Sequence, residues 1–212
     1  MKPIKTTVLL CMAILFLAAC SSTKITSSWK AANLQPKQYS KILVLGLIKD
    51  SDRSLQEKME EHLVGDLKRK GLNAVSSLQE FGPKAFSNTT ETEAIARLKQ
   101  SNIEAVVTIV LLDKQKERNY VPGRMYYSPY VIYYNRFWPY YGTLNYRIYE
   151  PGYYVTDTKY FWESNVYDVS SQSLLYSVQT KSFDPADSES LGHEYGKLII
   201  GDIIKNNILL QK

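Results

Sequence analysis

Two uninterrupted apolar runs, residues 42–48 and 105–112, constrain the fold of this chain more than any other feature. Each run is typical of a strand buried on both faces, because a strand with one wet face alternates apolar and polar residues. Two helical segments separate the runs, and strands joined through helices pair in parallel by crossover connections. The sequence therefore predicts an α/β fold whose sheet begins with a parallel β-α-β-α-β arrangement.

The two helical segments carry end signals as well as helical periodicity. The first, about 53–70, is followed by Gly71, which suits the left-handed position after a helix. The second opens at Thr90, whose hydroxyl forms a capping box with the carboxylate of Glu93. A weak strand over 72–76 is predicted between the helices. The apolar stripe of the first helix comprises Leu55, Met59, Leu63 and Leu67.

The last third of the chain predicts an antiparallel hairpin. Residues 160–169 and 174–182 are rich in β-forming residues, and a short serine-rich turn separates them. The second segment alternates apolar and polar residues, as in a strand with one buried face. The hairpin therefore adds antiparallel strands to the parallel start, and the sheet is predicted to be mixed.

A terminal helix follows the hairpin. Asp184 suits the N-cap position and Pro185 the first turn. Gly192 and Gly196 lie four residues apart and are predicted to let this helix lie close on the sheet. The folded part is interpreted as one α/β domain over 39–212.

A tyrosine-rich insert, residues 118–158, interrupts this domain. It holds most of the chain's 17 tyrosines, together with prolines, glycines and interleaved arginines. A connection of this length is functional or disordered, and disordered segments are poor in aromatic residues. Its rings either cover the domain or form an exposed surface that binds a protein or a glycan. The candidate contact residues are Tyr126, Tyr127, Tyr130, Tyr133, Tyr134, Arg136, Trp138, Tyr140, Tyr141, Tyr146 and Arg147.

The N-terminus has the layout of a bacterial lipoprotein signal. Lys2 and Lys5 precede an apolar run that is too short to span a membrane and that ends in Leu17-Ala18-Ala19-Cys20. We expect residues 1–19 to be removed and the thiol of Cys20 to carry the lipid. The serine-rich residues 20–38 are predicted to form a flexible tether. A serine directly after the cysteine favours the outer membrane, with the domain facing the periplasm.

Charge and cysteine content exclude two further classes. The net charge of +5 falls to +3 when Lys2 and Lys5 leave with the signal, so the basic character does not indicate a nucleic-acid partner. Aromatic residues interleaved with arginines also resemble a single-stranded nucleic-acid platform, but an exported protein rarely meets such a ligand. Cys11 would be removed and Cys20 acylated, so the mature domain has no disulfide.

The residues available for catalysis are few. His62 and His193 are the chain's histidines, and no nucleophile elbow, phosphate-binding loop or dinucleotide fingerprint is present. Paired carboxylates such as Glu60 and Glu61 are interpreted as a solvated helix face. We therefore predict a protein with no catalytic residue, no metal and no cofactor.

Several of these features together carry a family resemblance. Beside the lipoprotein signal they are Ser27-Ser28-Trp29, the 43–47 strand and the hairpin of residues 163–168 and 174–180. In these the chain resembles uncharacterised envelope lipoproteins of Gram-negative, notably Bacteroidetes-type, bacteria. Its element order is more distantly similar to the N-terminal domain of TolB and to lipoprotein activators of peptidoglycan synthases. The resemblance implies contacts with other envelope proteins and assigns no binding residue.

The functional expectation is a lipid-anchored, non-catalytic adaptor of the cell envelope that contacts its partner through the insert. The alternative is a glycan-binding module that uses the same tyrosines. A carboxylate-based hydrolase is a remote third possibility, because two carboxylates suffice for glycoside hydrolysis and the sequence singles out no pair.

Overall fold

A six-stranded mixed sheet with the strand order β1-β6-β5-β4-β2-β3 organises the protein. The computed structural model describes residues 22–32, 34–84, 86–121 and 153–210. The strands are β1 (Thr23–Lys30), β2 (Ile42–Leu47), β3 (Ala74–Ser76), β4 (Ala105–Val121), β5 (Tyr153–Asp168) and β6 (Leu174–Phe183). The helices are α1 (Arg53–Arg69), α2 (Ser77–Phe81), α3 (Glu91–Gln100) and α4 (Ser188–Lys205). This arrangement confirms the predicted α/β class with a mixed sheet and a terminal helix.

The chain divides into two compact units. One comprises the chain up to Lys114 together with the chain from Lys159 onward, and the other is Gln115–Thr158. The predicted insert, 118–158, falls within the second unit. Residues 115–121 and 153–158 are the described part of that unit.

Strands β4, β2 and β3 form the parallel half of the sheet. β2 pairs in parallel with both neighbours, with Leu43 opposite Val75 on one side and Val106 on the other. Ile42 packs into the core that contains residues of α1 and α4, whereas Leu43 packs into a second core that contains Leu98 of α3. Both faces are thus covered, which explains the uninterrupted apolar run of β2.

Strands β1, β6 and β5 form the antiparallel half. β5 and β6 pair antiparallel, as the sequence predicts, with Trp162 opposite Thr180. Trp162 and Val178 are buried in the core beside Tyr195 of α4, whereas Gln179 is exposed. This half therefore has one covered face and one open face.

Strand β1 corrects the prediction of a flexible tether over 20–38. Residues 23–30 pair antiparallel with β6, and the hydroxyl of Thr23 donates a buried hydrogen bond to Ser182 Oγ at 2.8 Å. The serine-rich composition indicated a solvated coil because it offers little apolar surface to bury. An edge strand is instead held by backbone hydrogen bonds, for which serine and threonine are as competent as any residue.

Two helix ends match those predicted from the sequence, and one differs. Gly71 adopts a positive φ of 77° after α1, and Thr90 and Glu93 form the predicted capping box. The terminal helix does not begin at Asp184, whose φ of 41° lies in the left-handed region. It begins at Ser188, and the carboxylate of Asp187 accepts a hydrogen bond from the backbone N–H of Ser190 at 2.7 Å.

The two glycines of α4 face α1 rather than the sheet. A Cβ added at Gly192 would lie 2.7 Å from Cδ2 of His62, and one at Gly196 would overlap the carboxylate of Asp66. The prediction of close approach is correct, but the partner is the neighbouring helix. Among the described residues no helix has both the length and the apolar character of a membrane-spanning segment.

Candidate functional site

The residues predicted to contact a partner lie outside the described residues. This holds for all of the candidates between Tyr126 and Arg147, and it holds for Cys20. The described part of the second unit, 115–121 and 153–158, belongs to the same tyrosine-rich segment. The described contacts of the tyrosine-rich segment come from these residues.

Three side chains in this part form a cluster in which a guanidinium lies over one ring and that ring contacts a second ring. The guanidinium carbon of Arg118 lies 4.0 Å from the ring centroid of Tyr154, which is within the range of a cation–π contact. The ring centroids of Tyr154 and Tyr120 are 5.1 Å apart, at an interplanar angle of 54°. We call Arg118, Tyr120 and Tyr154 the tyrosine cluster.

The tyrosine cluster is open to solvent. Tyr120 is 56% exposed and Tyr154 is 57% exposed, and the neighbouring Tyr153 is 62% exposed. Side chains of successive strand residues point to opposite faces, so the exposure of Tyr153 and Tyr154 leaves rings accessible on both faces of β5 here. Large exposed rings next to one another mark an interaction surface more often than rings scattered singly.

A hydrogen bond between side chains of β4 and β5 lies beside the cluster. Asn119 Nδ2 donates to Asp157 Oδ2 at 2.8 Å. Asn119 lies between Arg118 and Tyr120 in β4. A polar contact and an aromatic contact therefore join the same two stretches of β4 and β5. The arrangement offers planar apolar faces, hydroxyl groups and one cation.

The two histidines contact each other and the helix pair. His62 Nε2 lies 2.8 Å from Glu189 Oε1, and the ring centroids of His62 and His193 are 6.1 Å apart. Glu189 also forms an ion pair with Lys58 at 3.2 Å. These groups join α1 to α4 on the surface. Within the described ranges no group of three or more His, Cys, Asp or Glu side chains is placed to hold a metal ion.

Glu60 corrects the prediction of a solvated carboxylate pair, because it is fully buried. Its carboxylate accepts five hydrogen bonds, from the backbone N–H groups of Gly46 and Leu78 and from the side chains of Gln56, Ser76 and Ser77. The position of Glu60 directly after the buried Met59, beside the apolar stripe of α1, could have indicated that Glu60 is buried. Because its oxygens are already occupied, Glu60 holds the end of β2 to α1 and α2 and has no lone pair left for a substrate.

A cavity of about 520 Å³ lies beside this carboxylate, at the carboxyl end of β2. This edge is where open α/β sheets commonly bind ligands. Its walls include Leu45, Leu47 and Phe86, and its polar lining includes Gln56 and Ser77, which both donate to Glu60. The cavity thus combines apolar walls with groups already engaged in the Glu60 network.

Comparisons with known proteins assign no family to the chain. No protein-family model and no curated protein sequence matches it. The PelC dodecamer from Paraburkholderia phytofirmans is similar at 10% identity and a TM-score of 0.43, covering 84% of this chain and 94% of that chain. Lipoprotein GNA1162 from Neisseria meningitidis is similar at 12% identity and a TM-score of 0.43, covering 78% of this chain and 99% of that chain.

A third similar structure is a putative neuraminyllactose-binding hemagglutinin homolog from Helicobacter pylori. It shares 9% identity at a TM-score of 0.36, covering 83% of this chain and 87% of that chain. All three TM-scores lie below 0.5, so these neighbours assign neither a partner nor a ligand to this chain.

Proposed function

We propose that this protein is a lipid-anchored, non-catalytic module of the cell envelope that binds another envelope protein through its tyrosine-rich second unit. The observation that carries the proposal is the exposed tyrosine cluster, in which Arg118, Tyr120 and Tyr154 contact one another. The anchor is the lipid on Cys20, and the proposed location is the outer membrane, facing the periplasm. Both parts of the location rest on the signal ending at Cys20 and on Ser21 after it.

The composition of the cluster suits a protein interface. Tyrosine and arginine are enriched among the residues that dominate binding energy. Tyrosine buries a large area at a low cost in conformational entropy, because its side chain has only two rotatable bonds. The contact with Tyr154 also restrains the side chain of Arg118 before a partner arrives. A restrained side chain loses less conformational entropy on binding, so the stacked arrangement favours affinity.

The absence of catalysis is part of the proposal. The buried carboxylate of Glu60 is fully engaged by five donors, and His62 is engaged by Glu189. A binding role accounts for the exposed rings without requiring a reacting group.

In-cell photo-crosslinking from Tyr153 tests the proposal. A photoreactive amino acid at this exposed position leaves the tyrosine cluster intact, and one at Glu57, which is exposed on α1, serves as the control. We expect one envelope protein to be joined at Tyr153 and not at Glu57. Arg118→Ala should reduce the yield at least threefold because it removes the stacked cation.

The opposite result is equally clear. Abundant, acylated and folded protein that yields no protein adduct from Tyr153 would refute the adaptor. Retention of that protein on immobilised envelope polysaccharide, lost in Tyr154→Ala, would then identify the surface as a glycan-binding one, since aromatic faces also stack on sugar rings.

A further inference from the structure

The chain has no slack between the proposed lipid anchor and the folded sheet. The backbone N–H and the hydroxyl of Ser22 both donate to Glu194 Oε2 at 2.9 Å. The carbonyl oxygen of Ser22 accepts a hydrogen bond from the backbone N–H of Phe183 at 2.9 Å. Ser22 is therefore fixed to both β6 and α4, although it lies only two residues after Cys20.

This attachment limits how far the sheet can lie from the membrane. Two residues span at most about 7 Å between Cα atoms, whereas a flexible tether over 20–38 would span roughly 20–25 Å on average. The acyl chains on Cys20 would lie in the hydrocarbon layer, so the end of the sheet at Ser22 comes to the level of the lipid headgroups. The inference rests on the proposed lipidation of Cys20.

Five side chains form a basic and aromatic patch at this end of the open sheet face. Lys24 of β1 is opposite Lys181 of β6, which is in turn opposite Phe161 of β5. Phe183 is opposite Lys159, one step nearer to Ser22. Residues two apart on a strand share a face, so all five lie on one side of the sheet. We call Lys24, Lys159, Phe161, Lys181 and Phe183 the basic end patch.

The contacts within the basic end patch place ammonium groups over rings. Lys159 Nζ lies 5.8 Å from the ring centroid of Phe183, and Lys181 Nζ lies 5.3 Å from that of Phe161. Phe183 is 46% exposed. An apolar ring beside cations matches the boundary between acyl chains and headgroups, where aromatic residues are buried and lysines meet lipid phosphates.

Acidic residues border the patch, so it is amphipathic rather than strongly charged. Asp184 follows Phe183 directly, and Glu163 lies one pair of residues further along β5. The carboxylate of Glu163 accepts hydrogen bonds from Asn165 Nδ2 and Gln179 Nε2, each at 3.0 Å. Glu194 accepts hydrogen bonds from Ser22 at the same end of the sheet, so the acidic groups there are at least as many as the three lysines.

We propose that the basic end patch rests on the membrane that holds the lipid of Cys20, with its rings at the boundary of the acyl chains and its ammonium groups beside lipid phosphates. The lipid anchor alone would leave the protein free to rotate about one point. Contact of the patch with the headgroups adds a second point and fixes the orientation of the sheet relative to the membrane.

Vesicle reconstitution of the acylated protein tests this proposal. An environment-sensitive fluorophore is attached at Lys24→Cys, within the patch, or at Glu57→Cys on α1 as the control. Vesicles contain phosphatidylcholine with or without phosphatidylglycerol. With phosphatidylglycerol, we expect the label at position 24 to shift to shorter wavelength and to be quenched by brominated lipid, and the label at position 57 to remain aqueous.

Neutralising the patch gives the matched comparison. Lys159→Gln with Lys181→Gln should reduce the quenching at position 24 at least threefold. Lys68→Gln with Lys70→Gln, which removes two exposed lysines at the end of α1, should leave it unchanged. Thermal unfolding and the mass of the acylated N-terminal peptide establish that each variant is folded and anchored.

The failure of the patch and the failure of the anchor are distinguishable. Acylated protein with equal solvent exposure at positions 24 and 57 overturns the membrane contact alone. A Cys20 that carries no acyl chain overturns the proposed anchor, and the membrane contact with it.

Discussion

Side chains are buried in different patterns in the parallel half and in the antiparallel half of the sheet. In the parallel half, consecutive residues Ile42 and Leu43 are both fully buried, each in a different core. In the antiparallel half, Val178 is buried and the next residue, Gln179, is exposed. Burial thus extends over consecutive residues of β2, from Ile42 to Val44, whereas it alternates along β6 from Val178 to Ser182.

This difference explains where surface chemistry can accumulate. The open face of the antiparallel half tolerates lysines and exposed rings because they displace no core residue. The basic end patch lies on this face, and its residues come from β1, β6 and β5. The parallel half packs into two cores, and the open face of the antiparallel half carries the basic end patch.

The largest expected effect concerns the carboxylate that joins the elements of the parallel half. Glu60→Ala removes the acceptor for five hydrogen bonds and leaves buried donors such as the backbone N–H of Gly46 without a partner. Buried donors without partners each cost about 1–3 kcal/mol, so we expect a loss of roughly 4 kcal/mol in the free energy of unfolding. Urea unfolding of the purified protein measures it.

The neighbouring exposed residue is the control for that prediction. Glu61→Ala, on the same helix, should change the free energy of unfolding by less than about 0.5 kcal/mol, because its ion pair with Lys58 is exposed and exposed ion pairs contribute little. Equal losses in the two variants would mean that Glu60 is not the group that holds β2 to the helices.

Consecutive substitutions in each half test the comparison directly. Ile42→Ala and Leu43→Ala should each cost about 3 kcal/mol, because each leaves a cavity in a closed core. Val178→Ala should cost about 2 kcal/mol, and Gln179→Ala less than about 0.5 kcal/mol. Urea unfolding of the four variants gives the pattern. A small loss for Leu43→Ala would break the comparison, since it would mean that the α3 face is effectively open.

The same two burial patterns explain how much of the fold could be predicted from the sequence. Uninterrupted apolar runs identify strands with two covered faces, so β2, the buried part of β4 and their parallel pairing follow directly. The alternation of 174–182 likewise identifies β6. β1 was not predicted, because an edge strand rich in serine shows neither an uninterrupted apolar run nor alternation. Its pairing depends on β6, which lies about 150 residues away in the chain.

The candidate surfaces were less accessible to sequence reasoning than the fold. Tyrosine enrichment drew attention to the 118–158 segment, of which Tyr120 and Tyr154 are exposed and in contact. The basic end patch gives no local pattern, because Lys24, Lys159 and Lys181 come from three distant segments. Glu60 was misassigned because a carboxylate next to an apolar stripe is normally solvated, and its donors come from three other segments.

The smallest of these effects concerns Asp168, which joins the connection after β1 to the end of β5. Lys37 Nζ lies 3.3 Å from its Oδ2, and the backbone N–H of Ser171 donates to its Oδ1 at 2.8 Å. Burial raises the pKa of Asp168, but the hydrogen bonds from Ser170, Ser171 and Lys37 outweigh burial and hold the pKa well below its ordinary value. The charged form is therefore favoured in the folded protein.

A folded-state pKa below the unfolded one gives the pH dependence its sign. The stabilisation is fully present above the unfolded pKa of about 3.9 and is lost as the pH falls toward the folded pKa. Asp168→Asn should therefore cost about 1–2 kcal/mol at pH 7 and less at pH 3. Urea unfolding at both pH values, with Glu57→Gln as the exposed control, measures the difference. A cost that is the same at both pH values would show that shape, not charge, holds the two segments together.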